Sequence, residues 1–136
     1  MYKLTATALL LVVLLPLSAC SVYGQGVWVI AHRGASGYAP ENTLAAINKA
    51  LEMHADAIEI DIRQTKDCAL VAMHDASVNR TTNGQGNVED LSLNEIKRLD
   101  AGNWFAHEFA GEPVPTLQDV IKAVGRQAKL ILELKK

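Results

Sequence analysis

Ile30-Ala31-His32-Arg33-Gly34-Ala35-Ser36-Gly37-Tyr38-Ala39-Pro40-Glu41-Asn42-Thr43 is the stretch that decides how this chain folds. The apolar run Val27-Trp28-Val29-Ile30 leads into it, and apolar residues at Leu44, Ile47 and Leu51 follow at helical spacing. The stretch is therefore predicted to be the turn from a strand, buried on both faces, into a helix running from about Asn42 or Thr43 to Met53. In α/β architectures the ends of strands are where sites are built. The residues suit a phosphate. Arg33 is a permanently charged fork. Gly34 and Gly37 allow close approach and positive φ. The helix start offers free N–H groups, and His32 exchanges protons near neutral pH. The plainer reading is a surface turn whose His and Arg are merely solvated. His54, at the far end of the helix, is read as a C-terminal residue favoured by the dipole.

Beyond the helix, Ala57-Ile58-Glu59-Ile60-Asp61-Ile62-Arg63 alternates isoleucine with charge, the mark of a strand. Glu59, Asp61 and Arg63 share one face, with the two acidic α-carbons roughly 6.5–7 Å apart. Two carboxylates so placed converge on a hard cation, although a strand with one solvent face would show the same pattern. Leu70-Val71-Ala72-Met73-His74-Asp75 follows too soon for a parallel crossover, so a hairpin is expected. Pairing Thr65 with Leu70 sets His74 opposite Asp61 and brings a second proton-transfer group to the site. Asn83-Gly84-Gln85-Gly86 reads as a turn, and Ser92-Leu93-Asn94-Glu95 as a capping box opening a short helix. Trp104 and Phe105 either wall a pocket or pin an irregular excursion; His107 is assigned no role. Thr116-Leu117-Gln118-Asp119 caps another helix, stopped by Gly125. Lys129 to Lys135 is a strand with Ile131, Glu133 and Lys135 on one face. Strands alternating with helices imply a parallel sheet.

The pattern H-R-G at 32–34 with P-E-N-T at 40–43, E-x-D at 59–61, T-K-D at 65–67, V-x-x-H-D at 71–75 and Arg80-Thr81-Thr82 resembles the glycerophosphodiester phosphodiesterase family. Asp100-Ala101-Gly102-Asn103-Trp104-Phe105 and the closing E-x-K at 133–135 are similar too. One departure is Cys68, where the family usually has Gly; if the slot needs positive φ, a side chain there costs on the order of 1 kcal/mol. The resemblance implies a (β/α)8 barrel of the phosphodiesterase type. It also implies a metal-dependent enzyme that hydrolyses glycerophosphodiesters to an alcohol and sn-glycerol 3-phosphate. Glu59, Asp61 and Glu133 would hold a divalent cation, Ca2+ or Mg2+. His32 and His74 would be the general acid and base, in either order, and Arg33 and Lys135 would meet the phosphate. A related activity on lysolipids, of the phospholipase D type, would share this site. A noncatalytic surface lipoprotein is the reading from another class. The resemblance covers residues 27–136, about the first three strands of a barrel that typically needs about 250 residues. The expectation is thus the N-terminal part of such a domain in a C-terminally incomplete protein.

At the other end, residues 1–19 read as a signal peptide: Lys3, an apolar run from Ala8 to Leu17, then Leu17-Ser18-Ala19-Cys20. That ending resembles a bacterial lipobox, which implies lipidation of Cys20, a tether over 20–26, and membrane attachment through the lipid. Ser21 after the cysteine implies the outer membrane of a Gram-negative bacterium. With Cys20 lipidated, Cys68 is left without a partner among the two cysteines. A net charge of -2 gives no basic footprint for nucleic acid, and no protein partner is expected.

Overall fold

The computed structural model describes residues 26–136; the expected signal peptide, Cys20 and nearly all of the tether lie outside them. The chain forms β1 (Ile30–His32), α1 (Leu44–Glu52), β2 (Ala57–Gln64), β3 (Leu70–Ala72), α2 (Leu93–Ile96), α3 (Leu117–Val124) and β4 (Lys129–Leu134), with single 3-10 turns at Val88–Asp90 and His107–Phe109. Every strand pairs with β2: β1 and β4 in parallel, β3 antiparallel as the predicted hairpin arm. The Glu59 carbonyl accepts from Gly34 N–H and the Asp61 carbonyl from Met73 N–H, whereas the Ile62 carbonyl accepts from Lys135 N–H. Carbonyls two residues apart point the same way along a strand. So β1 and β3 share one edge of β2, and β4 occupies the other.

The alternation in β2 does what its sequence requires. Ile58, Ile60 and Ile62 are buried against Ile47 and Ala50 of α1 and Val120 and Val124 of α3. Burying an isoleucine contributes about 1.5–3 kcal/mol, so this row fixes which face of β2 looks at the helices. Glu59, Asp61 and Arg63 consequently point to the opposite face. A second core gathers Val71, Met73, Val78, Val88, Ile96, Ala101 and Val114, which fastens the long excursion after β3 to the hairpin. Within it, Trp104 Nε1 donates to the Ala101 carbonyl, and Phe105 meets Trp104 and Phe109 edge to face, contacts internal to the excursion.

Helix starts follow the capping signals. Thr43 caps α1, and Ser92 and Thr116 open α2 and α3 with reciprocal boxes to Glu95 and Asp119. Lys97, then the Thr116 cap, draw the Asp119 carboxyl down to about 2. Gly125 ends α3 at φ +54° and ψ −118°, a conformation that only glycine takes without strain.

Three expectations need correction. The first strand is Ile30–His32 and is not buried on both faces: Val27 is 92% exposed, Trp28 53% and Ile30 49%, because β1 has a strand neighbour on one side only. Gly37 does not adopt positive φ; Gly34 does, at +77°. The hairpin register is Gln64 with Leu70, one residue away from the expected pairing. Its loop explains the slip. Cys68 N–H donates to the Thr65 carbonyl, Thr65 N–H to the Ala69 carbonyl, and Cys68 sits at φ +63°. That is a three-residue connection, a turn followed by a left-handed residue, a position where glycine is usual. Replacing Cys68 by Gly is expected to raise stability by about 1 kcal/mol in urea unfolding; no gain would show that the left-handed thiol residue is unstrained.

Candidate active site

The site begins with Asp61, whose side chain is fully buried. Asn42 holds it twice: its amide Nδ2–H donates to Asp61 Oδ2 at 2.9 Å, and its carbonyl Oδ1 accepts from Asp61 N–H at 3.1 Å. Asn42 reaches this position from the left-handed region, at φ +57°, which asparagine tolerates better than most residues. Arg33 Nε lies 3.3 Å from Asp61 Oδ2, and Lys135 Nζ lies 3.0 Å from Oδ1. Burial works against ionisation of Asp61, but the Asn42 bond and the Lys135 ammonium outweigh it and keep the carboxyl below its ordinary value.

Glu59 stands two residues earlier on the same face. Its Oε2 accepts the Arg33 backbone N–H at 2.8 Å, made possible by the left-handed turn at Arg33 (φ +57°) and Gly34. A Cβ on Gly34 would come within 2.7 Å of Ala46 Cβ, so the turn and the start of α1 close together only over glycine. From the neighbouring strand, Glu133 is in register with Asp61, and Lys135 donates to its carboxylate. Oxygen atoms of Glu59, Asp61 and Glu133 all lie within 4.8 Å of one another. Glu59 Oε1 is buried without a hydrogen-bond partner, and the buried Asp61 Oδ1 has only the Lys135 ammonium, 3.0 Å away. Buried carboxylate oxygens seldom go without partners. An all-oxygen set in which one buried oxygen has no partner and another has only an ammonium fits a hard divalent cation.

Both expected histidines reach this place, along one edge of β2. β1 ends at His32, in register with Glu59, and its Nε2 lies 3.9 Å from Glu59 Oε2. The opposing β3 brings in Met73, bonded to the Asp61 carbonyl, with His74 next. In the observed register a continued strand would aim His74 at the helix side. Regular pairing stops at Ala72 instead, and Arg63 Nε holds the His74 carbonyl at 2.9 Å. His74 Nδ1 then lies 2.8 Å from Asp75 Oδ1.

Residues without an assigned role at the sequence level complete the site. Glu41 accepts from Arg33 Nη1 at 3.0 Å and from Arg80 Nη1 and Nη2 at 2.9 and 2.8 Å. Arg80 also grips Asp75, from Nε at 2.7 Å and Nη2 at 3.1 Å. An alternating chain of charge thus runs Asp61, Arg33, Glu41, Arg80, Asp75, His74. The P-E-N-T and Arg80-Thr81-Thr82 patterns were the signal; the contacts between them span 39 residues and are invisible in a linear reading. The expectation that the start of α1 keeps its N–H groups for a phosphate does not hold. Glu112 Oε1 takes Ala45 N–H at 3.0 Å, and the Thr43 hydroxyl takes Ala46 N–H. Arg33 likewise donates to Glu41 through Nη1 and approaches Asp61 through Nε without a directed hydrogen bond.

Residues 32–136 match the model of the glycerophosphoryl diester phosphodiesterase family. A glycerophosphodiester phosphodiesterase of Caldanaerobacter subterraneus is 53% identical over 108 residues, covering 79% of this chain and 44% of that protein. The crystal structure of a glycerophosphodiester phosphodiesterase from Agrobacterium tumefaciens superposes with a TM-score of 0.80 at 42% identity, over 82% of this chain and 48% of that one. An Oleispira antarctica phosphodiesterase in complex with the product sn-glycerol-3-phosphate gives 0.78 at 43% identity, over 80% and 44% of the two chains. The chain belongs to the glycerophosphoryl diester phosphodiesterase family and spans about half the length of the relatives it matches. The matched structures are TIM barrels, and the parallel strands β1, β2 and β4 are strands of that architecture.

Because Asn42 satisfies both a buried carboxylate and a buried N–H, Asn42→Ala is expected to cost on the order of 3 kcal/mol. Urea unfolding at neutral pH measures this, and a loss below about 1 kcal/mol would mean that Asp61 finds other partners.

Proposed function

We propose that residues 27–136 form the N-terminal portion of a barrel domain that hydrolyses glycerophosphodiesters to an alcohol and sn-glycerol 3-phosphate. The observation that carries this reading is the convergence of three carboxylates, one with an unpartnered buried oxygen, beside two histidines, in a chain of this family. The product complex of the Oleispira relative supports the choice of substrate class.

Glu59, Asp61 and Glu133 hold a divalent cation, Ca2+ or Mg2+. When bound, it supplies positive charge against the negative charge that grows on the phosphate oxygens. Arg33 and Lys135 meet the same phosphate oxygens. One histidine withdraws a proton from the attacking oxygen as it bonds to phosphorus, the other returns one to the alcohol oxygen as its bond to phosphorus breaks, and water supplies the oxygen that the products gain overall. His32 is 66% exposed. His74 is held by its own neighbour, Asp75. On the sequence alone, we further place the protein in a Gram-negative outer membrane, exported by residues 1–19 and anchored through lipid on Cys20.

Hydrolysis of glycerophosphocholine, with and without chelator, tests the reading. The expected result is cation-dependent turnover that falls by on the order of 10²–10⁴ in His32→Ala and in His74→Ala. Turnover indifferent to chelator, or to both substitutions, would overturn it.

A further inference from the structure

The outer half of the charge chain has no part in holding the carboxylate triad. Arg80 binds Glu41 through two nitrogens and Asp75 through two, four hydrogen bonds from its three coplanar nitrogens, with Nη2 serving both partners. A planar fork bonded on two sides fixes an orientation that a point charge does not. Its two partners come from different parts of the chain: Glu41 from the turn before α1, and Asp75 from the residue after His74. Asp75 is held well below the ordinary carboxylate range, first by its bond from Arg80 and against the cost of burial. Glu41 is lowered as well, Arg80 again being the leading cause. An ionised Asp75 only accepts hydrogen bonds, so the 2.8 Å contact with His74 requires a proton on Nδ1. In the neutral ring the lone pair is then on Nε2.

We propose that Arg80, clamped by Glu41, is a positioning residue that fixes Asp75 and thereby the Nδ1–H tautomer of His74, leaving Nε2 bare for the proton transfer assigned to this histidine. The inference deepens the proposed function and rests on it for the role of His74; the tautomer itself does not depend on turnover. Without Arg80, Asp75 is free to turn to water, and the neutral ring redistributes its proton between the two nitrogens.

The test is ring-nitrogen NMR of 15N-histidine-labelled full chain, at about two pH units above the ordinary imidazole value of ~6.5, so that the ring is neutral. Wild-type His74 should show Nδ1 as the protonated nitrogen. In Arg80→Gln the Nε2–H form should become prominent. Arg80→Lys, which keeps the charge but not the fork, should fall between. In turnover of glycerophosphocholine, Arg80→Gln should lower kcat about tenfold while KM changes about twofold or less, the pattern of an interaction felt in the transition state. If Arg80→Gln does not fold, Arg80→Lys decides by the same spectrum. A folded variant in which His74 keeps the wild-type tautomer would overturn the proposal and leave the proposed function standing. Turnover indifferent to chelator and to His74→Ala, with the tautomer behaving as expected, would count against the proposed function alone.

Discussion

Repulsion among three carboxylates is the constraint around which this structure is arranged. Oxygens of Glu59, Asp61 and Glu133 lie within 4.8 Å of one another. At that spacing, and an effective dielectric of about 20, a like-charged pair is repelled by on the order of 3 kcal/mol. The surroundings offset this from all sides. Asn42 donates to Asp61, the Arg33 backbone donates to Glu59, and Lys135 bridges Asp61 and Glu133. Even so, Glu59 Oε1 stays buried without a partner, and Asp61 Oδ1 has only the Lys135 ammonium. A fold selected only for stability has no reason to keep Glu59 Oε1 so, because a buried unpaired oxygen is costly. A bound cation gives the arrangement a reason.

The two faces of β2 divide the labour. The isoleucine face is packed against α1 and α3. The acidic face inherits that rigidity, so Glu59 and Asp61 are positioned by packing that they do not share. β1 and β3 then approach each other along one edge of β2 and leave it beside those carboxylates, delivering His32 and His74. The excursion after β3 has its own core, and through Arg80 it reaches back to Glu41 at the first turn.

Much of this was legible in the sequence because it depends on local rules. Alternation gave the acidic face, Ser92 and Thr116 gave two helix starts, and the short link at 65–69 gave the hairpin. The register failed by one residue because Cys68 takes a left-handed turn that its residue type does not advertise. Glu41, Asn42 and Arg80 were part of recognisable patterns, but their roles were hidden because each acts on a residue brought near only by the fold. Glu112, which takes a helix N–H that otherwise suits a phosphate, lies 67 residues from its partner and carries no sequence signal at all. The burial expected of the first strand failed for a related reason, since the residue type of Trp28 or Ile30 does not say how many strands will lie beside it.

The most direct test is a crystal structure of the chain with Mn2+, chosen for its anomalous scattering. The account predicts one strong anomalous peak about 2.0–2.6 Å from oxygens of Glu59, Asp61 and Glu133, with the Lys135 ammonium drawn away from Asp61. Saturating Mn2+ with no peak there, and Lys135 still paired with both carboxylates, would contradict the claim that these three residues are gathered to hold a metal ion.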